Sequence, residues 1–424
     1  MGNDARKESV LGNTSMPKPL TVFLGVASSL LAIAEAAETV YRYLLHAGPP
    51  YNSPLLQEHH PDLLMSLPRF QHLHTIQFFT DSKDAPYLYP APDAVFYKLF
   101  FLAAPHELAV FFTFTLLCFL VAALFLGRSL VRSGLGPRST YLLLSFALLT
   151  SFPLWFEIRQ GNLEICSWVF IALGIWSLAR DRSYTAAAFI GIAGALKITP
   201  FFYLGVFLAK RQYRQILVAI VCAAAITVPS LWLLYPHIAE SWRLNNLAIA
   251  SFRTLITLRT YYPPEIAAFD HSLFGLVKRL VIQHITAQHL SVLLTIYSAT
   301  AAVSMLVLFF GWIRKLPFTN QIICLCVATL IVPPTSFDYT LMSLYLPWAL
   351  LTLLAVQEQR QRKASPGIVP AMVCFAILFV PETEIIVNTQ SIAGQIKAVT
   401  LVALLVIALR HPFPQPSPTQ ELDA

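Results

Sequence analysis

Charged side chains are the scarcest feature of this sequence. Only 12% of its 424 residues are Asp, Glu, Lys or Arg, about half the ~25% usual for a soluble domain and too few to solvate a globular surface of this size. Cysteine is scarce too: Cys118, Cys166, Cys222, Cys324, Cys326 and Cys374 all sit in or beside apolar runs, with no CxxC spacing. That pattern argues against a disulfide framework or a zinc ribbon and leaves six buried hydrophobes. The loop histidines His59, His60, His72 and His74 form no HExxH or helix-face HxxxH pattern, so no metal centre and no cofactor is expected. The net charge of +7 is spread over short connectors between apolar runs, which in such a chain reports topology, and no nucleic-acid partner is expected.

What the chain has is hydrophobicity: 56% of residues are apolar and the mean hydropathy is +0.63. Runs near the ~20 residues needed to cross a bilayer recur from Thr21 to the C-terminus, so the expected class is an all-α polytopic membrane protein with the bilayer as its partner. Spans are expected at about 20–47, 107–127, 139–156, 163–179, 215–235, 288–313, 319–333, 339–356, 367–381 and 391–409. This gives ten full spans in one transmembrane domain, 20–410, between a leader at 1–19 and a tail at 411–424. No small-residue cleavage site follows the first run, which reads as a retained span. The basic connectors Arg128/Arg132/Arg138, Arg180/Arg182, Lys210/Arg211/Arg214, Arg314/Lys315 and Arg360/Arg362/Lys363 then share one side with Arg410. By the positive-inside rule that side is cytoplasmic, and two long loops, about 48–106 and 236–287, face outwards.

The segment from Arg182 to Lys210 is too short for two full spans. It reads as two half-length helices meeting at Lys197–Pro200, where proline breaks the ladder and pushes Ile198-Thr199 towards extended geometry. Irregular backbone at that depth is tolerated where it lines a cavity.

Polar residues gather beside the expected outer loops. FEIRQGNLEICSW places Glu157, Arg159, Gln160, Asn162 and Glu164 around Gly161, read as a tight turn at an outer mouth. Ionisable groups at membrane depth mark functional sites unless they are paired structurally, and Gly161 reads equally as a helix cap. Lys197 needs an anionic partner, either a phosphate or Glu157 or Glu164. Arg159, with Arg253 and Arg259 in the second long loop, adds charge against the same anion or is solvated. Asp62 stands ahead of an amphipathic stretch and reads as a proton acceptor or an N-cap. DHSLFGLVKRL carries His271 and Ser272, and PPTSFDYTLMSLYLP carries Ser336, Asp338 and Tyr339 at the mouth of a span, with capping open for each cluster.

Several of these segments together resemble a family. Gln160-Gly161-Asn162 is similar to a GQxN element, and GIAGALKITP, from Gly191 to Pro200, is similar to a G-x-A-x-x-x-K-x-x-P signature ahead of a basic connector. YLYPAPDAVFYKLFF, DHSLFGLVKRL and PPTSFDYTLMSLYLP follow in order as looser matches. The chain thus resembles the bacterial polytopic glycosyltransferases of family 87 (DUF2029), enzymes of the GT-C type that include polyprenol-phosphate-mannose-dependent mannosyltransferases. It differs in having His271-Ser272 where the family tends to have Asn, and Asp338-Tyr339 where the family has His.

The resemblance implies a GT-C-like fold in the cytoplasmic membrane of a bacterium with an outward-facing site. It also implies transfer of a hexose, mannose being one candidate, from a polyprenyl-phosphate-sugar donor to a lipid or glycan acceptor. A first-loop carboxylate serves as base, and Asp62 is the matching candidate, with Asp81 and Asp84 as fallbacks. Lys197, Arg159, Arg253 and Arg259 are then candidates for the donor phosphate. Glu157, Gln160, Asn162, Glu164, His271, Ser272, Asp338 and Tyr339 are candidates for the sugar and acceptor. The competing expectation is a transporter or flippase of envelope lipids or solutes, which would show an inverted repeat; none is visible in the sequence.

Overall fold

The computed structural model describes residues 15–45, 62–63, 67–80, 89–252, 257–258, 269–281, 286–363, 365–380, 386–387 and 390–416. The expected Asp81, Asp84, Arg253 and Arg259 lie outside these residues. The fold is all-α. In chain order the helices are α1 Lys18–Leu45, α2 Ala91–Phe101, α3 Glu107–Ser133, α4 Pro137–Leu149, α5 Phe152–Gln160, α6 Glu164–Leu178, α7 Ser183–Leu196 and α8 Gly205–Ala209. They continue as α9 Tyr213–Leu234, α10 Ile238–Phe252, α11 Leu273–Val281, α12 Ala287–Gly311, α13 Phe318–Ile331, α14 Tyr345–Gln361, α15 Ile368–Phe379 and α16 Ala393–Arg410. A two-residue antiparallel pair, Ile386–Val387 with Gln390–Ser391, precedes α16.

Six segments among the described residues are long and apolar enough to span a bilayer, or seven if α4 and α5, bent by 41° at Thr150-Ser151, form one span. The expected ten spans all appear as helices, but α6, α13 and α15 have only 15, 14 and 12 residues. Their packing explains the difference. Every residue of α13 is buried, so this helix is wrapped by protein and its apolar sequence reflects the bundle interior. On α3, by contrast, Leu117, Leu120, Val121, Leu124 and Phe125 are exposed, a surface suited to lipid tails.

Lipid is as apolar as leucine, so burial alone gives little drive for helix association inside the bilayer, and close approach of small residues matters more. The α7 sequence SYTAAAFIGIAGAL meets that need, with Ala186, Ala187, Gly191, Ala193 and Gly194 buried. At Gly191 the backbones nearly touch: a Cβ there would lie 2.2 Å from the carbonyl oxygen of Ala219 on α9.

The basic connectors meet at one end of the bundle. Gln359 donates to the Ser15 carbonyl at 3.1 Å, Gln215 to Ser183 at 3.2 Å, and Asn320 to the Ala408 carbonyl at 2.6 Å. At the opposite end the segments expected to face outwards meet the bundle: His74 N–H donates to the Leu234 carbonyl at 2.9 Å, and Asp270 pairs with Phe337 in an isolated β-bridge.

The half-helix pair breaks within the expected Lys197–Pro200, but the extended residue is not Ile198 or Thr199. Lys197 is the extended residue (φ −137°, ψ 137°), whereas Ile198 is helical (φ −68°, ψ −32°) and a 3-10 helix runs over Thr199–Leu204. The Lys197 N–H still donates to the Ala193 carbonyl at 2.9 Å, and the extended step ends α7 there and turns the side chain towards the start of α6.

Candidate active site

Two buried polar networks lie at the end opposite the basic connectors. The first is built on the α5–α6 junction. The expected tight turn from Glu157 is helical as far as Gln160, and the reversal is made by Gly161, at φ 65° and ψ 34°. This left-handed conformation suits glycine and ends α5 as a cap.

The reversal brings Asn162 to the centre of the network. Its Oδ1 accepts the Glu164 N–H at 3.0 Å, an Asx-type turn that starts α6, and also accepts from Lys197 Nζ at 2.8 Å. Its Nδ2 donates to Asp62 Oδ2 at 2.7 Å and to the Tyr89 hydroxyl at 3.1 Å. All four hydrogen-bonding positions of the amide are therefore occupied. The result is one continuous chain from Asp62 through Asn162 to Lys197.

Lys197 lies 3.3 Å from Glu164, which settles which of the two acidic candidates it meets. Its ammonium also sits 5.3 Å from the ring centre of Tyr89 and 5.0 Å from that of Tyr339, both within cation–π range. Glu157, fully buried, accepts the Ile165 N–H at 2.9 Å, placing a carboxylate at the N-terminus of α6 where the helix dipole favours it. Gln160 is half-buried and Arg159 is buried at the end of α5.

Asp62 gains protonation tendency here. Loss of water around its carboxyl raises its pKa above the usual carboxylate range, opposed by hydrogen bonds from Asn162 and Tyr89 and by the field of Lys197. A base whose pKa is moved towards neutrality keeps more driving force for accepting a proton at working pH.

The second network holds His271, Ser272, Asp338 and Lys397. His271 Nδ1 meets Asp338 Oδ1 at 3.2 Å, its Nε2 meets the Ser336 hydroxyl at 3.1 Å, and Lys397 is ion-paired to Asp338. Asp270 Oδ1 accepts the N–H groups of Ser272 and Ser336 at 3.0 and 3.1 Å, and Ser272 Oγ accepts the Gly275 N–H at 2.9 Å. His271, Ser272 and Asp338 have no exposed surface. The sequence placed Asp338 at the mouth of a span and His271-Ser272 in a turn opening a helix; in the structure Asp338 is buried, in a network that ties the start of α11 to the 3-10 helix Asp338–Leu344. The capping role open for Ser272 is the one seen. Tyr339, next in sequence to Asp338, turns the other way and joins the first network, with its ring stacked near Phe156 at 6.4 Å.

Four participants were missed. In YLYPAPDAVFY, Asp93 and Tyr97 stand four residues apart on one face of α2, and Tyr89 lies just before the start of that helix. Lys397 is the one cation inside the apolar run AGQIKAVTLVALLVIALR before its terminal Arg410, which is itself a signal of an intramembrane ion pair. Tyr97 donates to the Gly161 carbonyl at 3.2 Å, and Asn245 on α10 donates to the Tyr89 carbonyl at 3.0 Å.

No curated protein and no solved structure resembles the chain closely enough to count as a match. A sequence model described as "Glycosyltransferase family 87" matches residues 87–334. That range is more than half the chain and contains Tyr89, Asp93, Asn162, Lys197 and His271. An all-α membrane bundle with a part-buried carboxylate–amide–lysine chain at one end thus belongs to glycosyltransferase family 87.

Proposed function

We propose that this glycosyltransferase moves a hexose, with mannose as the first sugar to test, from a polyprenyl-phosphate-sugar to a lipid or glycan acceptor at the outer face of a bacterial cytoplasmic membrane. The outward assignment follows from the basic connectors at the other end of the bundle, which the positive-inside rule places in the cytoplasm. The single observation that carries the mechanism is the chain Asp62–Asn162–Lys197, with links of 2.7 and 2.8 Å.

The reaction is an inverting single displacement. The acceptor oxygen attacks the anomeric carbon, the bond from that carbon to the phosphate oxygen breaks, and its electron pair leaves with the polyprenyl phosphate. Asp62 takes the acceptor's hydroxyl proton, with Asn162 and Tyr89 fixing its carboxylate. Lys197, which has three N–H donors and gives one to Asn162, turns a further donor from Glu164 to the donor phosphate. Arg159, Arg253 and Arg259 supplement that charge. Gln160, Glu164 and Tyr339 hold sugar hydroxyls; Glu157, Asn162, His271, Ser272 and Asp338 act one layer back by fixing the residues that touch them. Positioning and fixed charge supply the rate enhancement.

The test is transfer of radiolabelled sugar from a panel of polyprenyl-phosphate sugars to membrane lipid or glycan, with wild type beside Asp62→Asn. The expected result is transfer from at least one donor that disappears in the folded variant. Full activity of Asp62→Asn removes Asp62 as base. Transfer from a nucleotide sugar alone removes the lipid donor.

A further inference from the structure

Asp93 is a buried acid that the mechanism above leaves unused. It lies in the first turn of α2 and has no exposed surface, and neither carboxyl oxygen has a hydrogen-bond partner among the described residues. Its position is fixed from both sides: Tyr89, just before the start of α2, meets Asn162, and Tyr97, one turn after, meets the Gly161 carbonyl. The carboxyl between them is therefore set against the Gly161–Cys166 reversal, where Lys197 and Glu164 also meet.

The titratable groups around it are few. Lys197 at the end of α7, and Glu164 and Cys166 on α6, lie within electrostatic reach. Tyr97 flanks it on its own helix face, and Tyr89 lies just before that helix. Within its apolar length α9, packed on α2, brings only Cys222, and α3 begins with Glu107 beyond the end of α2. An ionised carboxylate without hydrogen bonds or water is strongly disfavoured, and one cation already matched by Glu164 does not repay the loss. Burial accordingly raises the Asp93 carboxyl to about 8, against the opposing field of Lys197.

We propose that Asp93 is a proton-holding positioning residue: as a neutral acid it leaves the charge of Lys197 available to an anionic phosphate, and its ionisation weakens phosphate binding. The inference rests on the phosphate reading of Lys197 given above. An anion arriving at Lys197 raises the cost of charging Asp93 further, so binding and protonation of Asp93 reinforce one another. No bond is made or broken in this step; one proton is taken up from solvent when ligand binds the ionised form.

The experiment is calorimetric binding of farnesyl phosphate to the full-length protein in detergent between about pH 7 and about pH 9.5. The probe's second ionisation near ~6 is then complete and does not contribute. Wild type is expected to lose about tenfold in affinity over this range, as for an interaction worth about one pKa unit, and to take up protons on binding, read from the heat in buffers of different ionisation enthalpy. Asp93→Asn and Asp93→Leu, which cannot ionise, are expected to show a dissociation constant independent of pH and no proton uptake; two variants guard against one failing to fold. A variant that keeps the wild-type dependence overturns the role of Asp93 alone. Absence of binding by wild type at every pH overturns this inference together with the phosphate reading of Lys197.

Discussion

The site can be challenged most directly by replacing one atom. Asn162→Asp keeps the oxygen that accepts from Lys197 and Glu164 and replaces the Nδ2 donor with a second oxygen, which then faces Asp62 at the 2.7 Å of the present hydrogen bond. Two unit charges at about 2.7 Å repel by about 6 kcal/mol at an effective dielectric of ~20, so the two carboxylates cannot both ionise near neutrality. Lys197 at 2.8 Å on the other oxygen stays in place and offsets part of this, and Asp62 retains some contact with solvent. An upward shift of about 2 pKa units for the pair is therefore expected, roughly a third to a half of the unscreened value. The shared proton disables the base below the shifted limb, so transfer falls by up to about a hundredfold at pH values under the wild-type limb and recovers as pH rises. The assay is the pH dependence of kcat for labelled-sugar transfer, with the acid limb moving up by about 2 units. An acid limb at the wild-type position, with undiminished kcat, refutes the assignment of Asp62 and Asn162 to one proton-accepting unit.

Three further outcomes follow from packing and charge. Gly191→Ala places a methyl group where only 2.2 Å separates it from the Ala219 carbonyl oxygen, so α7 and α9 must part; a loss of about 1–3 kcal/mol appears as a lower Tm in detergent, and an unchanged Tm refutes the close crossing. Lys397→Met strands the fully buried Asp338, which costs about 3–5 kcal/mol, and adding Asp338→Asn recovers part of the lost Tm. Asp93, raised to about 8 in the folded chain, binds a proton there that the unfolded chain has already released above about pH 4. Its contribution to stability is therefore present below about pH 4 and is lost as pH rises towards 8, and Asp93→Asn flattens that part of the Tm–pH curve.

Membrane class and the position of the apolar helices could be read from the apolar runs, because hydropathy reports burial from water directly. It does not distinguish burial in lipid from burial in protein. This is why α13, apolar and 14 residues long, reads as a span although each of its residues is covered by neighbouring helices. Local breaks were legible for the same reason that their chemistry is local: Gly161 takes a left-handed backbone, and Pro200 has no N–H with which to continue α7. The grouping of Asn162 with Lys197 was expected from motif order, but the contact of Asn162 with Asp62 spans a hundred residues and depends on how a long loop returns over the bundle. Asp93 was hidden because an aspartate after a proline in a first helical turn looks like a favourable charge at a helix N-terminus; only the packing of Tyr89 and Tyr97 shows that it is sealed.

The sealed second network acquires a role from its neighbour in sequence. Asp338 is held by His271 and Lys397, and the next residue, Tyr339, lies over the Lys197 ammonium at 5.0 Å. The 3-10 helix that carries both cannot rotate to relax Asp338 without moving the Tyr339 ring off Lys197. His271 thus acts on Lys197 through a rigid turn, although it touches no residue of the first network. A double-mutant cycle tests this: His271→Ala and Tyr339→Leu should each weaken farnesyl phosphate binding, and the double variant should be no weaker than the worse single. Residues linked in this way show coupling of about 0.5–3 kcal/mol, whereas independent effects add. Additivity within about 0.5 kcal/mol would mean that the second network only stabilises the bundle, leaving the position of Tyr339 to its packing against Phe156.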